Sequence, residues 1–379
     1  MKIAIDARFY NPENRGLSCY TRHLIHGLET IDRKNEYFVL LRDKDYATLQ
    51  FKNPNFTKIR AEAHWYTVKE QFALPYLLKK IKPDLTHFPH FNIPLAFKGK
   101  FVTTIHDLIL LKYPTKKATT LNRLSYFLKE KGYQMTIRNA VRKAARIIAV
   151  SSGTAKDIFE SFPELNRKKI VVIGEGCGES NKQTIEKYSK YSKIEQKKRL
   201  AEKYGINKKF ILYLGGAYPH KNLERLVLAF EKTGLKKTYL VLGGGNDYFF
   251  KRLKDFVIEN NIQNIIFPGF LRSKKYLEFL YSQASFCIFP SLYEGFGLPP
   301  LEALKRNKRV LCSRNTVFPE VLEKSASYFD GLSVSDMSKK ILFMNKKREK
   351  INPEILKKTL EKHSWKKMCR NILEVYETV

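Results

Sequence analysis

The chain has 379 residues, more than one ordinary core accommodates, and its 43% hydrophobic content, 13% aromatic, supplies material for two domains and excludes global disorder. Seventy Lys and Arg against 37 Asp and Glu leave a formal charge of +33, which favours anionic partners: phosphorylated metabolites, nucleic acid or an acidic lipid face. Five scattered cysteines (Cys19, Cys177, Cys287, Cys312, Cys369) form no C-x-x-C pair, which argues against a disulfide framework or a structural zinc site and suits a reducing compartment.

Short β-branched runs alternate with longer helical patterns through the first half. Strands are predicted at residues 2–5, 37–41, 84–87, 101–105, 147–150 and 170–173, with helices at 17–29 and 121–146 among those between them. Residues 179–203 are polar and Lys-rich and read as a linker running into a short solvated helix; a surface insertion within one domain is the alternative. Alternation then restarts. Strands are expected at 210–214, 239–244, 264–269, 285–291, 309–313 and 327–330, and helices at 222–232, 246–259, 274–282 and from about Pro299, with two more toward the end. This pattern predicts an α/β chain of two Rossmann-like halves, each a parallel sheet, with ligands in the cleft between them.

The string FPSLYEGFGLPPLEA at 289–303 carries the most chemistry. An apolar strand ends, Gly295 and Gly297 allow a tight turn and close approach of a ligand, and Pro299 and Pro300 open a helix, where proline is tolerated. A helix N-terminus with free amides is an anion site suited to a phosphate or pyrophosphate. Glu294 and Glu302 flank the turn with seven residues between them. Belonging to one loop–helix unit, they cannot easily lie on opposite sides of a sugar as a hydrolase requires.

E-x7-E within EGFGLPPLEA resembles the motif of retaining GT-B glycosyltransferases of the family-4 type, the glycosyl transferases group 1, and is mannosyltransferase-like. The similarity covers almost the whole chain. IDARFYNPENRGLSCYTRHLIHGLE resembles the family's first strand, glycine loop and helix, and TIHDLILLKYP its histidine-bearing loop. LYLGGAYPHKNLERLVLAF resembles the start of the donor domain, and SWKKMCRNILEVYE the terminal helix that returns to the first domain. The resemblance implies a GT-B fold: an acceptor-binding domain at 1–180, a basic linker at 181–205, a nucleotide-sugar domain at 206–355 and a crossover helix at 356–379.

By the same resemblance, Glu302 would accept hydrogen bonds from the donor ribose and Glu294 would contact the transferred sugar. Amides around Phe296, Gly297 and Leu298 would hold sugar and phosphate. Lys221 would neutralise the departing diphosphate, and the loop at Gly16 would meet it from the other domain. His106 would sit by the sugar, its imidazole or neighbouring carbonyl polarising the reacting centre. The implied reaction moves a hexose, mannose or glucose, from a GDP- or UDP-linked donor to a glycan or lipid-linked acceptor in cell-envelope polysaccharide synthesis. No metal cage is apparent, and Lys221 with a helix end can supply the positive field, so metal independence is expected. The chain departs from the family pattern at two places, a stretch and a single position. Gly215, Gly216, Ala217 and Tyr218 stand where an Arg clamp is common, with Arg272 as a substitute, and Ser18 stands where a second loop glycine is frequent.

Other signals are weaker. Gly174, Gly176 and Gly178 read as a hinge or turn, and Gly243–Gly245 as a strand-to-helix turn; His87 and His90 lack the partners a metal would need. Residues 112–146 hold ten Lys/Arg and one acid, Glu130, interleaved with Tyr113, Leu121, Leu124, Tyr126, Phe127, Leu128, Tyr133 and Ile137. Such a face suits an anionic bilayer. No signal-peptide region and no stretch of ~18 apolar residues is present. A cytoplasmic enzyme, peripheral on the inner face of the cell membrane, is therefore expected. A nicotinamide-dependent oxidoreductase is an alternative, although G-x-G-x-x-G is missing after the first strand. A non-catalytic basic protein binding membrane or nucleic acid is another, although no sequence-reading nucleic-acid motif is present.

Overall fold

The computed structural model describes residues 1–11, 16–113, 123–177, 188, 190–347 and 351–379; for 121–126, 128 and 129 no side chain is described. The described residues divide into two units. One spans Met1 to Gly176 and takes back His363–Val379; the other spans Cys177–Lys362.

In the first unit, β1 (Lys2–Asp6), β2 (Glu36–Leu41), β3 (Phe56–Arg60), β4 (Leu85–Phe88), β5 (Phe101–Ile105), β6 (Arg146–Ala149) and β7 (Ile170–Val172) form a parallel sheet in the order β3-β2-β1-β4-β5-β6-β7. Strands β4 and β5 are buried along their whole length, as expected when helices cover both faces. Strand β3 was missed by pattern. It is an edge strand whose Thr57, Lys58 and Arg60 break the apolar run.

The helix Leu17–Ile31 buries Tyr20, Leu24, Ile25 and Leu28 on one stripe. Its outer side receives the C-terminal helix Trp365–Glu377. A Cβ added at Gly27 would lie 2.3 Å from Cys369 Sγ, so only glycine lets the two helices approach this closely. His23 stacks on Trp365 at 4.4 Å, and Met368, Ile372, Val375 and Tyr376 are buried. Each such side chain contributes about 1.5–3 kcal/mol, so this return is an integral part of the first unit. The crossing falls at Lys362–His363. The helix Pro353–Lys362, expected within a crossover segment from 356, belongs to the second unit, where Thr359 bonds Ser325 at 2.8 Å.

The second unit repeats the topology: β8 (Lys209–Leu214), β9 (Thr238–Gly243), β10 (Ile265–Ile266), β11 (Cys287–Phe289), β12 (Val310–Ser313) and β13 (Ser327–Phe329), all parallel, in the order β10-β9-β8-β11-β12-β13. The expected linker is partly a helix, Lys193–Tyr204, capped by Ser192 and ended by Gly205 at φ 69°. It buries Gln196 and Leu200, and Gln196 accepts from Gln283 at 2.9 Å on the helix Lys274–Gln283, so it is a packed layer of this unit. Residues 181–187 lie outside the described residues.

In each sheet the strand order reverses once, between β1 and β4 and between β8 and β11. Ligands of doubly wound sheets bind beyond the carboxyl ends of the strands at such a reversal.

Candidate active site

The loops after β8 and β11 leave the reversal point of the second sheet side by side. The first runs through the short turn Pro219–Lys221 into Asn222, which adopts φ 62° and starts the helix Leu223–Lys232. Asn222 Nδ2 donates to the Pro290 carbonyl at 3.0 Å and the Gly331 carbonyl at 2.7 Å. One buried amide thus joins the loops after β8, β11 and β13. The Leu292 amide donates to the His220 carbonyl at 2.8 Å, closing the same seam.

This seam brings Lys221 Nζ to 2.7 Å from Glu294 Oε1, and the Ser291 hydroxyl donates to the same oxygen at 2.7 Å. Both side chains remain partly exposed, at 20% and 16%. Three residues on, Gly297 turns at φ 100° and caps the helix Leu298–Lys305. A Cβ there would lie 2.6 Å from the buried Phe318 ring. Phe296 is buried beneath the turn and Leu298 is half-buried at the helix start. Pro299 and Pro300 carry no N–H, which leaves the Leu298 and Leu301 amides as donors among the first four residues of that helix.

Glu302, one turn further along, is half-buried, and its carboxylate has no hydrogen-bond or ion-pair partner among the described residues. Its main-chain carbonyl accepts from Arg306 at 2.9 Å, while Glu278 holds Arg306 through two oxygens. Arg306 is therefore committed, and Glu302 keeps its lone pairs available. Arg272, beyond β10, is exposed and its guanidinium has no hydrogen-bond or ion-pair partner among the described residues. Backbone bonds Gly215–Gly243 and Gly244–Gly269 align the loops after β8, β9 and β10 on that same edge.

The remaining expected residues lie in the first unit. Gly16 sits at φ 66° as the N-cap of Leu17–Ile31, with open space where a Cβ would be; residues 12–15 of its loop lie outside the described residues. Tyr20, one turn on, meets the His106 ring edge-on at 4.7 Å. His106 follows β5, with Nδ1 2.7 Å from Glu175 Oε1 and Nε2 2.9 Å from the Pro89 carbonyl. A carbonyl only accepts, and so does an ionised carboxylate, so both ring nitrogens must donate: His106 is an imidazolium. Burial alone would lower its pKa, but the Glu175 hydrogen bond and charge outweigh this and raise it. The His106 carbonyl accepts from Thr154 Oγ1 at 3.2 Å. The ring is thus a fixed positive charge with no lone pair free to take a proton.

Pattern reading missed Asn222, Ser291 and Glu175. Glu175 hides within a glycine run whose hinge reading emphasised the glycines. A Cβ at Gly176 would lie 2.3–2.4 Å from Trp365, so that glycine seats the segment against the terminal helix and so places Glu175. His87 is buried between Tyr376 and Thr104, and burial with the nearby His106 charge pushes it down to about 3.

The basic face at 112–146 is corrected in part. Tyr133 and Ile137 point into the core of the first unit, because the helix Arg123–Lys143 buries one side there. Phe127 is exposed at 52%; Lys112 is paired with Asp157 and Glu160. Leu121 and the side chains of Leu124, Tyr126 and Leu128 lie outside the described residues. Among the described residues no helix is long and apolar enough to cross a membrane.

Residues 196–359 match the family described as glycosyl transferases group 1, and residues 15–177 match that described as glycosyltransferase family 4. The chain belongs to the group 1 glycosyltransferases. Its fold agrees: a structure of Anabaena Alr3699/HepE in complex with UDP-glucose superposes with a TM-score of 0.72 at 16% identity, covering 100% of both chains. By sequence, this glycosyltransferase is 26% identical over 348 residues to the serotype-specific mannosyltransferase WbdA of Escherichia coli, covering 83% of this chain and 39% of WbdA. It is 26% identical over 266 residues to the O-antigen chain mannosyltransferase RfbU of Salmonella typhimurium, covering 70% of this chain and 65% of RfbU. It therefore spans less than two thirds of either relative. Membership of this family sets aside the oxidoreductase and non-catalytic alternatives.

Proposed function

We propose that this glycosyltransferase moves a hexose, mannose or glucose, from a GDP- or UDP-linked donor to a glycan or lipid-linked acceptor in cell-envelope polysaccharide synthesis, with retention of anomeric configuration. The observation that carries the reading is the Lys221–Glu294 pair beside the Gly297-capped helix, at the reversal point of the second sheet. Mannosyltransferase relatives and a structural neighbour crystallised with UDP-glucose support the donor class.

Breaking the anomeric C–O bond sends its electron pair to the diphosphate. In this reading Lys221 and the amides around Phe296, Gly297 and Leu298 stabilise that charge, each such donor contributing about 3 kcal/mol. Glu294 accepts from the sugar hydroxyls and Glu302 from the ribose. The acceptor hydroxyl attacks on the face the diphosphate leaves. Because His106 has no free ring nitrogen, the acceptor's proton passes to the departing phosphate oxygen. Lys221 provides the positive field, so no divalent cation is required, and activity survives EDTA. The charge of +33 favours peripheral attachment to the anionic inner face of the membrane.

The test is turnover of GDP-mannose and UDP-glucose by the purified chain with membrane lipid extract, reading the product's anomeric configuration by proton NMR. Retained configuration supports the reading. Inverted product, or consumption of no nucleotide-sugar, contradicts it.

A further inference from the structure

The first unit holds a buried charged network that no step above uses. Arg8 follows β1 and is fully buried. It donates from Nε and Nη2 to the two oxygens of Asp6 at 2.7 Å, from Nη2 to Glu70 Oε1 at 2.6 Å and from Nη1 to the Ala63 carbonyl at 2.8 Å. Asn92 Nδ2 donates to Glu70 Oε1 at 2.7 Å, and the Tyr66 amide donates to Glu70 Oε2 at 2.8 Å. Tyr66 sits at φ 63°, a conformation unfavourable for a bulky L residue, and the network holds it there.

That strained residue presents its ring outward, at 60% exposure, and edge-on to His90 at 6.3 Å. Its neighbour Trp65 is fixed between Phe9, stacked at 4.6 Å, and Arg42, at 5.2 Å, and so serves as the wall behind. His90 Nδ1 accepts the Asn92 amide at 3.2 Å, which puts the ring proton on Nε2; that N–H has no partner among the described residues. Burial and the His106 charge push His90 down to about 3, so it is neutral. Tyr133 meets Phe91 edge-on at 5.0 Å, and Phe91 in turn lies against His90 at 4.0 Å with the rings tilted by 37°. Tyr133 is 8% exposed, and its hydroxyl likewise has no hydrogen-bond partner among the described residues. The charge of Asp107 bears on both the Tyr66 and Tyr133 hydroxyls.

Three neutral hydrogen-bonding groups, set among aromatic rings near the reversal between β1 and β4, match a neutral polyhydroxylated ring. The negative charges of Asp107 and Glu70 oppose an anion. We propose that Tyr66, His90 and Tyr133 form the subsite for the terminal neutral pyranose of the acceptor, Tyr66 stacking on the ring and His90 Nε2 and the Tyr133 hydroxyl bonding its hydroxyls. This rests on the glycosyltransfer reading, whose donor site lies in the other unit.

The test is calorimetric titration of the full chain, without nucleotide, with methyl α-mannopyranoside and methyl α-glucopyranoside; mannitol and inorganic phosphate serve as controls. Tyr66→Ala alters an exposed ring, and Tyr133→Phe removes only a hydroxyl, so both preserve the packing. Binding of at least one pyranoside, weakened roughly tenfold by each substitution, supports the subsite. Acceptor KM rises to match while GDP and UDP affinities hold. Wild-type affinity in both variants, phosphate or mannitol binding as well as the pyranosides, or no pyranoside binding at millimolar concentration overturns it. Donor-only release of nucleoside diphosphate, measured in parallel, reports the glycosyltransfer reading separately.

Discussion

Lys221 Nζ and Glu294 Oε1 lie 2.7 Å apart although 73 residues separate them in the chain. The lysine that would meet a diphosphate is thus already neutralised by the carboxylate that would meet the sugar. On the proposed function, a bound nucleotide-sugar would exchange that contact for two new ones. Removing the carboxylate should separate binding from transfer. In Glu294→Ala, GDP or UDP affinity holds or rises while transfer falls roughly 100-fold; in Lys221→Met, both fall. Calorimetry with the two nucleotides, beside initial rates, checks this.

Glu302 keeps a carboxylate without a hydrogen-bond partner because Arg306 is already held by Glu278. If that carboxylate meets the ribose, Glu302→Ala should lower affinity for GDP or UDP by about tenfold. The variant should also lose discrimination against the 2′,3′-dideoxy analogues. Equal losses for ribo and dideoxy nucleotides would place the ribose elsewhere.

Much of this architecture was legible because fully buried parallel strands are almost unbroken apolar runs; residues 101–105 stand where the pattern put them. Other elements concealed themselves for physical reasons. Strand β3 is a polar edge, and Pro75, a residue that ordinarily breaks a helical pattern, stands inside the continuous helix Val68–Ile81. Strand β10 spans only Ile265–Ile266, far less than the apolar run at 264–269 suggested. Around the site, Glu294, Gly297 and Glu302 share one short string and could be read together. Asn222 and Glu175 could not, because their partners arrive from loops 68 and 69 residues away.

The turn itself is costly to alter. Gly297→Ala forces a Cβ into a left-handed residue and toward the buried Phe318 ring, a loss of about 2–4 kcal/mol. Asn222→Ala removes two donors to carbonyls, about 2–3 kcal/mol. Differential scanning calorimetry should place both roughly 5–10 °C below wild type. Gly16→Ala meets no neighbouring atom and carries only the backbone strain, so it should shift Tm less.

The His106–Glu175 pair makes stability depend on pH with a definite sign. His106 has a pKa raised above its ordinary 6.5, so the folded chain holds the proton more tightly than the unfolded chain. The pair's contribution is fully present below pH 6.5 and is lost as pH rises through the raised folded value. The gap in thermal stability between wild type and Glu175→Gln should therefore be larger near pH 6 than at alkaline pH. A gap that widens with rising pH would show that the imidazolium assignment is wrong.

A crystal structure of the chain with bound GDP or UDP decides whether the loops after β8 and β11 hold the donor. The diphosphate is expected against Lys221 and the amides around Gly297, the ribose hydroxyls on Glu302, and Glu294 facing the position of the transferred sugar. A nucleotide bound away from the loops after β8 and β11, with the Lys221–Glu294 contact undisturbed, would contradict it.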